Sequence, residues 1–155
     1  VNLALSTSMM PVFANITVEN VKAKKKQFKK VMFCNAAVTF GITIFLALLG
    51  NFAIRILYGE KYLFAAKVLY FLLPYYVMSS FSKFLVLFLD YQNKAKVRSI
   101  VFFMTIVFDI ILNAVLIPGF GAVGASVATD LALTPYLVFL FLEAGIIFKE
   151  YHKRG

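Results

Sequence analysis

The chain has 155 residues, of which 62% are hydrophobic and only 15% charged, with a mean hydropathy of +0.87. A soluble domain carries about 25% charged residues, so a water-facing globule is excluded, and the ordinary soluble enzyme with it. The formal charge of +9 would suit nucleic acid, but the basic residues gather at the ends of long apolar blocks, which makes lipid the expected solvent.

The chain opens at Val1 within an apolar stretch, and 1–17 reads as the end of a span whose beginning lies upstream. No basic region followed by a short apolar core and a small-residue cleavage site supports a signal peptide. A link holding Lys22, Lys24, Lys25, Lys26, Lys29 and Lys30 follows. The first full span is Val31–Leu57, with no charge before Arg55. At 1.5 Å per residue it exceeds a hydrocarbon core of about 30 Å. Further spans are expected at 62–89, 99–118 and 121–148. The expected fold is therefore all-α, a polytopic transmembrane helix bundle forming one domain over 1–155, with four full spans plus the end of a fifth.

The loops sort by charge. The link 22–30, the turn at Lys94, Lys96 and Arg98, and the tail Lys149, Lys153 and Arg154 are basic. The turn at Gly59 holds only Lys61, flanked by Arg55 and Lys67, and the turn 118–121 holds no charge. The positive-inside rule then puts the basic loops and the C-terminus on the cytoplasmic side of a cytoplasmic (inner) membrane.

The turn residues suit their positions. Gly59, Gly119 and Gly121 can take positive φ, Asn93 is the usual non-glycine substitute there, and Pro118 is expected to end its helix. Gly121 and Ala125, like Gly124 and Ala128, lie four apart and form a small-residue face for close helix approach. Pro74 and Pro135 fall within spans, where each can make a static kink or a bend that helps two halves rock.

Charges inside the apolar blocks are the sharpest clue, because burying them is costly. Lys83 lies to the cytoplasmic side of its span's middle. Asp109 lies near the middle of the third span, with Asn113 one turn further on the same face. Asp130 falls in the outer half of the fourth span and Glu143 near its cytoplasmic end; Lys67, near the outer interface, can snorkel. Three readings compete: Lys83 contacts an anionic substrate, Asp109 or Asp130 accepts a coupling proton or cation, or all of them are structural partners. No catalytic constellation and no cofactor or metal site is expected, since the single His152 sits in the basic tail and Cys34 stands alone. The glycosylation-type triplet Asn15-Ile16-Thr17 falls on the expected cytoplasmic side and reads as chance.

The segment 112–129, with Asn113, Leu116-Ile117-Pro118, Gly119-Phe120-Gly121, Gly124-Ala125 and Ala128-Thr129, resembles a signature of bacterial and archaeal polysaccharide flippases. These belong to the multidrug/oligosaccharidyl-lipid/polysaccharide exporter superfamily. The turn Tyr58-Gly59-Glu60-Lys61-Tyr62 with Ala65, Ala66 and Leu69 is similar to the family's turn between two late spans. Met10-Pro11 resembles the end of the preceding helix, and Gln92-Asn93-Lys94-Ala95-Lys96 a turn that more often carries Gly where this chain has Asn93.

The resemblance covers nearly the whole chain in order and implies a C-terminal lobe, with an N-terminal lobe of the same protein as its partner. It implies alternating access for a polyprenyl-diphosphate-linked oligosaccharide in polysaccharide or O-antigen (lipopolysaccharide) biosynthesis, and a cationic cavity suited to a diphosphate. Lys83 is the substrate-binding candidate on charge and depth, not on a family motif. Asp109, Asn113 and Asp130 leave two readings open: a Na⁺- or H⁺-coupled multidrug or metabolite antiporter of the same superfamily, or a structural role. A lipid-linked peptidoglycan-precursor flippase is a further alternative. The expected partners are the bilayer and the lipid-linked substrate, with no nucleic acid.

Overall fold

A computed structural model describes residues 20–153. The expected partial span 1–17, with Met10-Pro11 and the Asn15 triplet, lies outside the described residues, as does Arg154. Among the described residues the fold is all helical: α1 is Val21–Tyr58, α2 is Leu63–Tyr91 and α3 is Ala95–Lys153, with one 3₁₀ turn at Glu60–Tyr62. Three helices are thus long and apolar enough to cross a membrane. In hydrocarbon a helix is the solution that satisfies every backbone polar group within one segment.

The basic residues 22–30 do not form a separate link. They are the first turns of α1, which runs unbroken for 38 residues. The expected third and fourth spans fall within Ala95–Lys153 as two helices that meet at a kink. Across these 59 residues Gly121 alone leaves helical geometry, at φ 57° and ψ −136°. This break is a reversal. Phe102 and Tyr136 are 34 positions apart and would lie about 51 Å apart along a straight helix, yet their ring centroids are 5.3 Å apart. Gly121 makes the turn because only a residue without Cβ reaches that backbone region at low cost. Pro118 does not end the helix as expected. The chain stays helical through Phe120, so the missing proline N–H costs one bond in the final turn and no more.

The other two turns follow their residues. Gly59, at φ 81°, ends α1 and donates its N–H to the Arg55 carbonyl at 3.0 Å. Asn93 takes φ 58° between α2 and α3, and Lys94 N–H closes back onto the Leu89 carbonyl at 3.0 Å.

Helix α2 is central, packed by α1 on one side and by α3 on the other. At one end Phe28 of α1, Phe84 and Phe88 of α2 and Phe148 of α3 form an aromatic knot. The Phe28 ring lies 5.1, 4.9 and 5.2 Å from those of Phe84, Phe88 and Phe148. This knot brings the start of α1, the Asn93 turn and the end of α3 together, so the basic segments 22–30, 94–98 and 149–153 share one end of the bundle. At the other end Ala122 joins Lys61 and Phe64 around one groove, which puts the Gly59 and Gly121 turns together. The charge sorting of the loops is therefore a sorting by end.

The return limb of α3 meets the bundle through a ridge spaced four apart. Ala128, Ala132, Tyr136, Leu140, Ala144 and Phe148 are all 5% exposed or less, and Gly124 begins the series. Of the two small-residue pairs, Gly124/Ala128 is therefore the packed one. Gly121 itself is exposed and Ala125 only half-buried. The outward limb touches the bundle along the single stripe Arg98, Val101, Thr105, Asp109, Asn113 and Leu116, leaving Phe103, Ile110 and Val115 more than 60% exposed. No residue of the outward limb, 95–120, is buried. A surface so apolar is intelligible only against lipid or another apolar partner.

Between α1 and α2 lies a polar contact that the hydropathy pattern did not single out. Asn35 Nδ2 donates to Ser80 Oγ at 3.0 Å, and the Thr39 and Ser80 hydroxyls stand 2.7 Å apart. All three side chains are at most 2% exposed. Ser80→Ala is expected to destabilise the bundle by about 0.6–1.7 kcal/mol, the range for interhelical hydrogen bonds in membranes. Unfolding in mixed micelles measures this; wild-type stability in the variant would show the contact to be energetically neutral.

Candidate functional site

The face of α2 after Pro74 carries Tyr75, Ser79, Ser82, Lys83 and Val86, positions spaced by helical turns. These five residues, with Arg98 and Phe102 of the outward limb and Leu133 and Tyr136 of the return limb, line a cavity of about 290 Å³. Three helical segments thus converge on it, within the apolar body of the molecule and nearer the basic end than the glycine turns.

Lys83 and Arg98 differ in electrostatic state. Arg98 Nε donates to Asp90 Oδ1 at 2.7 Å, and its guanidinium also faces the Tyr136 hydroxyl. Lys83 pairs with no carboxylate among the described residues and is exposed at the cavity. Its ammonium is the uncompensated charge, so an anion entering the cavity meets Lys83 without first displacing a counter-charge. Ser82 Oγ is buried with no hydrogen-bond partner, and Tyr75, Ser79 and Tyr136 add further hydroxyls. Val86, Phe102 and Leu133 supply the apolar remainder of the wall. Donors on an apolar wall suit an amphiphilic anion, because each donor gains strength where water is scarce.

The other sequence-derived candidates do not join Lys83. Asp109 and Asn113 share a face as expected, but Asn113 Nδ2 donates to the Asp109 backbone carbonyl at 2.9 Å and not to its carboxylate. Asp109 Oδ1 is left without a hydrogen-bond partner. The Asp130 carboxylate lies against the backbone N–H of Tyr75, immediately after Pro74, and its Oδ1 is also unpartnered. Neither aspartate lines the cavity. Glu143 belongs to a different contact, 3.6 Å from Lys94 Nζ at the basic end. Lys67 is exposed, in keeping with a snorkelling side chain.

Sequence reasoning missed Arg98, Tyr136, Tyr75, Ser79 and Ser82 as cavity residues. Arg98 reads as one more loop cation until the reversal at Gly121 lays Tyr136 against it. The serines carried a usable signal, being polar residues at helical spacing on the Lys83 face of an otherwise apolar span.

No family model, curated protein or solved structure matches this chain.

Proposed function

We propose that the chain is the C-terminal lobe of a transporter that flips a polyprenyl-diphosphate-linked oligosaccharide across the cytoplasmic membrane by alternating access. The observation that carries this reading is Lys83, on a membrane-length helix, an ammonium with no carboxylate partner among the described residues, in a cavity walled by hydroxyls, Arg98 and apolar side chains. An intramembrane cation is costly, and its usual return is contact with a ligand or pathway. A diphosphate needs cations and hydroxyl donors; a polyprenyl tail needs an apolar wall that opens to lipid. The cavity has both chemistries, and Arg98, held by Asp90, lines it as a second cation.

In this reading the two limbs of α3 cross the bilayer separately, because one straight 57-residue span would measure about 86 Å against a hydrocarbon core of about 30 Å. Counting both limbs, the described residues supply four crossings, with the basic end cytoplasmic. The exposed apolar face of the outward limb then meets lipid or the N-terminal lobe.

One observation favours a second reading. Asp109 and Asp130 each hold a buried carboxylate oxygen without a partner, which suits a coupling proton or cation in an antiporter. Vesicles containing the whole transporter separate the two. Flipping of a lipid-linked glycan, read by accessibility of the sugar to an external glycosidase, is expected without an imposed ion gradient. Dye efflux that requires a Na⁺ or H⁺ gradient, with no glycan flipping, would replace the first reading by the second.

A further inference from the structure

The amino-terminal turns of α1 present an arrangement that neither the cavity nor the spans require. Lys22, Lys25, Lys26, Lys29 and Lys30 are exposed, and their spacing places them on one face of the helix. Lys22/Lys26, Lys25/Lys29 and Lys26/Lys30 are like-charge pairs four residues apart, an arrangement that opposes helix formation in water. None of these lysines pairs with a carboxylate among the described residues. Two acids of this end, Asp90 and Glu143, already face Arg98 and Lys94.

The lysine face is held in a fixed place. Phe28, on the opposite side of the same turns, is 7% exposed within the aromatic knot, and Lys25 Nζ stands 5.9 Å from the centre of the Phe148 ring. The segment Val31–Tyr58 is long enough, at about 42 Å, to cross the hydrocarbon core and reach both interfaces. Residues 22–30 therefore fall at the level of the phospholipid headgroups. A row of ammonium groups with no carboxylate partner among the described residues matches, at that level, a row of phosphates.

We infer that the Lys22–Lys30 face of α1 is a docking surface for anionic phospholipid headgroups, and that these lipids supply the counter-charge that keeps the first turns of α1 helical. The inference rests on the bilayer placement of the helices and not on the cargo. Phosphate oxygens accept from the ammonium groups while the negative leaflet offsets the repulsion between the lysines.

The test is amide hydrogen exchange over residues 22–30 of the full chain, in nanodiscs of phosphatidylglycerol and phosphatidylcholine compared with phosphatidylcholine alone. Protection of these amides is expected to be at least about tenfold higher with the anionic lipid, a conservative fraction of what four to five lysines near a charged leaflet supply. The difference is expected to vanish in a variant carrying Lys25→Gln, Lys26→Gln, Lys29→Gln and Lys30→Gln, while exchange around Phe84 and Phe88 stays unchanged. Equal protection in the two nanodiscs would overturn the inference. So would inorganic phosphate restoring full protection in phosphatidylcholine alone, since free anion and not lipid would then be the ligand. A failure of cargo flipping with the lipid effect intact would sink the transport reading and leave this one standing.

Discussion

Gly124→Ala is expected to destabilise the folded bundle by about 3 kcal/mol, the upper end of what overpacking costs. A methyl group there would overlap the Leu116 backbone carbonyl and stand 3.0 Å from Phe120 Cβ. A backbone carbonyl in a helical turn cannot step aside as a flexible side chain can, so the two limbs of α3 would have to separate. Gly121→Ala acts on the same hairpin by another route, with nothing within 4 Å of the added carbon but a positive φ of 57°; the strain is about 1–3 kcal/mol. Gly145→Ala is the control, being helical with open space around it, and should be neutral or slightly stabilising. Unfolding of the three variants in mixed micelles orders them. If Gly124→Ala behaves like Gly145→Ala, the close approach of the limbs is wrong.

Lys83→Ala is expected to lower transport of a lipid-linked glycan by about 10- to 100-fold, the equivalent of one charge-assisted hydrogen bond of about 1.5–3 kcal/mol. Membrane insertion and thermal stability should hold, because Lys83 has no carboxylate partner among the described residues whose charge would be stranded. Lys83→Arg should retain most of the activity, since the cavity needs a cation at that depth and offers open room for it. Arg98→Ala is a poorer probe of the cavity. It strips Asp90 of its partner and Tyr136 of its neighbour, so lost activity would mix binding with folding. Full activity in Lys83→Ala, measured as flipping per inserted protein, would remove Lys83 from the site.

Much of the fold was legible along the chain, and the reasons are local. An apolar run of membrane length must be helical whatever it packs against, and Gly59, Asn93 and Gly121 each turned the chain where positive φ is tolerated. Boundaries were less legible. Residues 22–30 were expected as a link because they are charged, but Phe28 ties them to Phe84, Phe88 and Phe148 and the helix begins there instead. Pro118 was expected to stop a helix that in fact ends at Gly121.

The site divides along the same line. Lys83 stood out because a lysine within an apolar run is conspicuous, whereas Arg98 lay among loop cations and Tyr136 among apolar neighbours. Asp109 and Asp130 stood out equally, yet neither lines the cavity that Lys83 enters. Periodicity tells which side of a helix turns inward and says nothing of what it meets there.

The amino-acid sequence alone determined that the described chain is helical, that its helices are of membrane length, and where its basic ends fall, because hydropathy and turn chemistry act residue by residue. Only the tertiary structure decided that Arg98, Tyr136 and Lys83 share one cavity and that Asn35 and Thr39 meet Ser80. Those contacts join positions from 15 to 53 apart in the numbering, and they exist only once the Gly121 reversal and the packing on α2 bring the helices side by side.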